Sequence, residues 1–269
     1  MNIEKFWRLT FLLFIATACV NVQVPTLVPA PTQYIVSPEP TIPVWTPTRN
    51  PSPTHTVSLM ATRALTQTEQ YELSQKLISA AAEGNTTRVR ELISRGAPLN
   101  AQDAQGRTAV MAATYGNHVE TVRVLLEAGA DVNVLDTMRN NPFLYAGASG
   151  YLEILKLAYA AGADPKITNR FGGTALIPAC ERGHIEVVRY LLNETSVDVN
   201  HINNLGWTCL LEAVILSDGG ARHQEIVKLV IEHGADVNIA DKEGITPLQH
   251  ATRRGYGEIA TMLEAAGGK

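Results

Sequence analysis

The chain has 269 residues, enough for one or two ordinary domains, and is 45% hydrophobic and 18% charged, a balance that suits a folded soluble protein. Its formal net charge is −4 and no run of Lys or Arg stands out. A surface of that sign repels phosphate, so nucleic acid is not an expected partner.

The first element is a targeting segment. Lys5 and Arg8 give a positive start, and residues 9–18 form an uncharged, mostly apolar stretch. Ten residues of helix rise only about 15 Å, half of a bilayer core, so residues 1–18 read as an export signal and not as a membrane span. Ala16-Thr17-Ala18 fits the small-x-small pattern of an ordinary signal peptidase. Ala16-Thr17-Ala18-Cys19 also resembles the lipobox of bacterial lipoproteins, departing from it at Ala16, where that family prefers Leu. The resemblance implies lipidation of Cys19 and a lipid anchor in the cell membrane or envelope, where several acyl chains give stable attachment. Simple cleavage would instead leave the protein periplasmic or secreted.

Residues 19–66 change composition abruptly. Nine of the chain's fourteen prolines fall here, interleaved with Thr as in Pro25-Thr26, Pro31-Thr32 and Pro47-Thr48. Proline denies a chain both helix and ladder hydrogen bonds, so this stretch is expected to be a disordered, semi-extended tether.

From residue 67 to the end the sequence repeats. Asp103-x-x-Gly106-x-Thr108 returns at Asp136, at Asn169-x-x-Gly172-x-Thr174, at Asn203-x-x-Gly206-x-Thr208 and at Asp241-x-x-Gly244-x-Thr246. The second half of each unit recurs too: Ala128-Gly129-Ala130-Asp131-Val132-Asn133 has its counterpart in His233-Gly234-Ala235-Asp236-Val237-Asn238. The first three starts are 33 residues apart. A period of 33 with a Thr-Pro-Leu-like start, such as Thr246-Pro247-Leu248, resembles the ankyrin repeat. The physical reading agrees with the resemblance. Thr246 can cap a helix that begins on Pro247, Gly129 and Gly234 can end helices in a left-handed cap, and a unit that cannot cover its own apolar face must stack on others. The expected fold is an all-α solenoid of about six helix–turn–helix units, with residues 69–100 and 241–267 as its two caps.

Several units depart from the pattern. Unit three has Arg139 in place of Gly and Asn141 in place of Thr, which predicts a strained finger turn before an intact helix. Unit four carries Pro178 inside its first helix, which removes a backbone bond. Unit five holds five extra residues around 217–222, a candidate contact loop or a tolerated surface insertion. Cys180 and Cys209 sit in the first helices of adjacent units, five residues out of register. That offset is about 7.5 Å along the axis, and stacked helices are a further 8–10 Å or so apart. The two are therefore predicted to remain unpaired, their Cα atoms roughly 11–12 Å apart, beyond the reach of a disulfide.

No catalytic, cofactor or metal constellation stands out. His184-x-Glu186 and His223-x-Glu225 look like metal ligands only until their recurrence at the repeat's Gly-His turn is noticed, and Gly147-Ala148-Ser149-Gly150 is a helix-to-helix turn. The resemblance instead implies a non-catalytic module that binds another protein through finger tips and the ends of the inner helices, and a monomer. A small-ligand or glycan binder using the same concave groove is the alternative. Mapped onto this chain, the tips bring Arg107, Met138, Arg170, Phe171, Leu205, Trp207, Lys242 and Ile245, the helix ends bring Tyr115 and Arg182, and the insertion brings Asp218 and Arg222. Met138, Phe171, Leu205 and Trp207 form an apolar, partly aromatic line that reads either as interface anchors or as finger packed on finger.

Overall fold

A computed structural model describes residues 65–269; the expected export signal, Cys19 and nearly all of the Pro/Thr segment lie outside the described residues. The described part contains twelve α-helices and no strand. They pair as α1 (Gln67–Ala82) with α2 (Thr86–Ser94), α3 (Ala109–Tyr115) with α4 (Val119–Glu127), and α5 (Pro142–Ser149) with α6 (Leu152–Ala160). The remaining pairs are α7 (Leu176–Glu181) with α8 (Ile185–Glu194), α9 (Cys209–Ile215) with α10 (Ala221–Glu232), and α11 (Pro247–Arg254) with α12 (Gly257–Ala265). Each inner, odd-numbered helix packs on the next inner helix, and each outer helix on the next outer one. The six expected units are therefore six stacked hairpins. None of these helices is long and apolar enough to cross a membrane.

Local chemistry explains why the units look alike. Thr108, Asn141, Thr208 and Thr246 each accept the N–H three residues on, satisfying one of the donors that a helix start leaves free. At four of the five unit boundaries an Asn clamps one hairpin to the next; the exception is between units three and four, where Lys166 stands at that position. Asn100, Asn133, Asn200 and Asn238 accept from the backbone N–H of Asp131, Asp164, Asp236 and Lys269 at 2.8–3.0 Å. The core between the helix layers is continuous from Leu77 through Leu125, Ile154, Leu191 and Ile226 to Leu263, all fully buried.

The departures also have structural outcomes. Arg139 adopts φ +58°, the left-handed region that the glycines of the neighbouring finger turns occupy without cost. An L-residue there is strained by about 1–2 kcal/mol, so Arg139→Gly is expected to raise stability by roughly 0.5–1 kcal/mol after glycine's extra unfolded-state entropy. A thermal melt showing no gain would mean the turn is not under strain. In unit four, Pro178 has no N–H to offer the Thr174 carbonyl, and α7 shortens to six residues starting at Leu176. Thr174 is 3% exposed, and its buried hydroxyl is left without a partner and caps nothing. In unit five the five extra residues are shared out. The turn between helices takes five residues, Leu216 to Gly220, against three from Gly116 to His118, and α10 has 12 residues against 9 in α4.

The expectation that Cys180 and Cys209 stay apart is overturned. They form a disulfide with a Cα–Cα separation of 5.5 Å. Treating adjacent inner helices as parallel rods in register was the error. Here the first turn of α9 leans against the last turn of α7, a stagger of about five residues. The same relation holds one unit earlier, where a Cβ on Gly147 would lie 2.8 Å from the Cβ of Ala175. Gly147 and Cys180 are each six residues beyond their cap position, and Ala175 and Cys209 each one residue beyond theirs. The stagger cancels the axial offset, and small side chains let the backbones close in.

Candidate functional site

Each finger is built around one Asp or Asn. A single oxygen of Asp103, Asp136, Asn169, Asn203 or Asp241 accepts two backbone N–H groups, those two and four residues ahead. This folds the tip back on itself and pushes the intervening side chains outward. Adjacent tips are tied by backbone bonds, Thr137 N–H to Gln105 and Asn204 N–H to Phe171 at 3.0 and 2.9 Å.

The outward side chains include most of the predicted anchors. Met138 is 45% exposed, Phe171 46% and Leu205 37%. Arg170 lies over the Phe171 ring, 4.7 Å from its centre, and its guanidinium donates to the Met138 sulfur at 3.1 Å, joining the tips of units three and four. Trp207 is half-buried, so it belongs neither wholly to the tips nor to the core; its N–H and carbonyl are both bonded to Asn203. Lys242 reaches back to the Asn204 carbonyl at 2.6 Å, and Ile245 is half-buried at the base of the last finger. Arg107 forms an ion pair with Asp103 at 2.7 Å, which engages its guanidinium within its own finger.

In three of the fingers the second polar atom of the Asp or Asn faces an inner helix. Asp136 accepts from the Tyr115 hydroxyl, Asp241 faces His250 at 2.7 Å, and Asn203 donates its amide to Glu212 at 2.9 Å. The choice of Asp or Asn thus follows the partner, since a donor calls for a carboxylate and a carboxyl for an amide. Burial works against ionising Asp103 and Asp241, yet the hydrogen bonds from Arg107, and from Ile245 and His250, outweigh it and hold both carboxyls below their ordinary range. Burial and the Asp136 bond push the Tyr115 hydroxyl up to about 12, and its ring meets Tyr145 edge-on at 4.4 Å. Glu212 shows the opposite balance for an acid. Burial, helped by the charge of Glu181, pushes its carboxyl up to about 8 against the lowering effect of Asn203. Burial raises Glu181 as well.

The helix-end and insertion residues separate from the tips. Arg182 donates to the Ala148 carbonyl at 2.6 Å. The stem of Arg222 packs so closely on Gly183 that a Cβ there would lie 2.3 Å from its Cδ. Asp218 is exposed and accepts from the Gly220 N–H. The insertion itself rests on the last unit through the Tyr256 hydroxyl, which donates to the Ser217 carbonyl at 2.7 Å. The turn histidines are structural. His118, His184 and His223 each point Nε2 at a carbonyl of the preceding inner hairpin, and burial lowers His184 below its ordinary range. Sequence reasoning missed Arg139 and Ile202, 49% exposed, as surface members, and Glu212 as a buried acid. The spacing of nine residues shared by Asn203–Glu212 and Asp241–His250 was the signal that could have found Glu212.

Comparison with known proteins agrees with this architecture. A family model described as ankyrin repeats (three copies) matches residues 77–169 and again 143–241, more than half of the chain. The crystal structure of an ankyrin repeat domain from Acinetobacter baumannii AYE is 52% identical, with a TM-score of 0.70 over 72% of this chain and 98% of that one. The ankyrin repeat domain of Bcl-3, a member of the IkappaB family, is 25% identical with a TM-score of 0.65, over 72% of this chain and 86% of its own. The ankyrin repeat protein YahD of Escherichia coli K12 is 52% identical over 80 residues, which are 30% of this chain and 40% of that relative's length. The chain belongs to the ankyrin-repeat family.

Proposed function

We propose that this chain is a non-catalytic protein-binding module, exported and held by a lipid anchor at Cys19 on the outer side of a bacterial membrane. Ankyrin repeats are protein-interaction modules, and the observation that carries the binding reading here is the exposed apolar row of Met138, Phe171 and Leu205 on three successive fingers. Single exposed apolar residues are ordinary, but a contiguous row on a rigid scaffold is what partner surfaces look like. The export reading draws support from the buried Cys180–Cys209 bridge, because disulfides persist in oxidising compartments outside the cytosol.

The test is proximity labelling in intact cells, comparing the full chain with Phe171→Ala/Leu205→Ala. These surface positions should shift stability by under about 0.5 kcal/mol each, so a matching melt shows that the fold is intact. The expected result is one or a few envelope proteins labelled by the wild type and lost with the variant. Identical labelling by both would remove the finger tips from the interface. Fractionation of Cys19→Ala tests the anchor separately; if it and the wild type are equally soluble, the lipid is not there.

A further inference from the structure

The finger edge carries an excess of positive charge on a chain whose net charge is negative. The anionic groups of the fingers, Asp103, Asp136 and Asp241, point inward and are occupied by backbone N–H groups. The cations point outward. Arg139, Arg170 and Lys242 are exposed on the tips of units three, four and six, and none has a carboxylate within 4.0 Å among the described residues. Their nearest fixed partners are neutral: the Met138 sulfur and Phe171 ring for Arg170, and a backbone carbonyl for Lys242. Among the described fingers, Glu243, in the turn that Asp241 closes, is an exposed acid beside Lys242. The same edge carries the exposed apolar side chains, so cations and apolar groups alternate along it.

We infer that the partner presents an acidic segment in extended conformation, laid across the fingers of units three to six, with an apolar side chain against each of Met138, Phe171 and Leu205. This rests on the protein-binding reading and adds the chemistry of the occupant. Charge complementarity selects the sign, since an uncompensated cation at an interface steers in acidic partners and repels basic ones. Geometry selects the spacing. Stacked units are about 8–10 Å apart, and a chain extended in the polyproline II form brings every third side chain back to the same face after about 9.3 Å, so apolar residues should recur every third position with acids between them. A polypeptide fits better than an anionic bilayer. Lipid headgroups are met by clusters of about four to eight Lys or Arg, whereas here three cations are spread over four fingers, two of them beside the apolar side chains of Met138 and Phe171.

The experiment is selection of a phage-displayed library of random twelve-residue peptides on the full chain, followed by affinity measurement with synthesised winners. Enriched peptides should carry an acidic excess with apolar residues three apart. Their affinity should fall about tenfold or more on Arg139→Glu/Arg170→Glu/Lys242→Glu, and on raising salt from about 50 to 300 mM. Winners without acidic excess that are still lost on Phe171→Ala/Leu205→Ala would overturn this inference and leave the protein-binding reading standing. No enrichment over an unrelated control protein, or winners indifferent to both variants, would count against both. Phosphatidylglycerol vesicles are the lipid arm. Vesicle binding that the charge reversal abolishes, in the absence of acidic winners, would assign the edge to a membrane instead.

Discussion

Replacing both bridged cysteines, as Cys180→Ala/Cys209→Ala, is expected to lower the stability of the repeat domain by about 3–4 kcal/mol, because the bridge closes a loop of 29 residues in the unfolded chain. For a domain of this size that corresponds to a melting midpoint lower by roughly 7–14 °C. The bridge joins two inner helices across a unit boundary, the place where a solenoid is held together only by neighbour-on-neighbour packing. Both side chains are fully buried, so reductant should act slowly on the native protein and quickly once denaturant opens the boundary between units four and five. Alkylation and mass spectrometry of the unfolded, unreduced protein checks the bridge directly. Alkylation of both Cys180 and Cys209 before any reductant is added, or a double variant that melts like the wild type, would show that the bridge contributes nothing.

The disulfide also marks where reading the repeat from sequence stops. The period, the cap residues, the finger turns and the number of hairpins were all legible, because each follows from a local rule: Thr or Asn before a helix, Gly where φ is positive, Asp or Asn two and four residues before the amides it accepts. The stagger between neighbouring inner helices is not local. It depends on how closely small residues such as Gly147 and Ala175 allow two backbones to approach, which no single unit's sequence states. Had that pair been compared with its counterpart one unit on, the cysteines would have fallen into contact.

The candidate surface was legible to the same depth. Counting from the finger glycines placed Met138, Phe171 and Leu205 outward, and they are outward. The count could not tell that Trp207 would be half-buried, because a side chain at the finger base can lean either way once the next finger is in place. Nor could it distinguish Arg107, occupied by Asp103, from Arg170, which lies over an aromatic ring. Those differences arise from contacts between units, and they decide which cations remain available to a partner.

Glu212 gives the other large expected effect. It is an acid whose folded-state pKa of about 8 lies well above the value near 4.3 of an unfolded chain. Below about pH 4 both states hold the proton, and the group costs the fold nothing. As pH rises toward 8 the unfolded chain gives up its proton while the folded chain keeps it, so unfolding becomes progressively easier; above 8 the full penalty is in place. The wild type should therefore lose about 3 kcal/mol between pH 5 and pH 8 through this one group, a loss set by burial first and by the facing Glu181 second. Glu212→Gln removes the titration but keeps a carbonyl oxygen to accept from the Asn203 amide, so the finger of unit five stays anchored. The variant is expected to melt close to the wild type at pH 5 and distinctly higher at pH 8, with Glu181→Gln giving a smaller gain in the same direction. Asn203→Asp should act oppositely, placing a second carboxyl against a buried first one and destabilising most at high pH. Parallel stability–pH curves for the wild type and Glu212→Gln would mean that Glu212 is already ionised in the folded protein, and that water or a cation reaches it from the concave side.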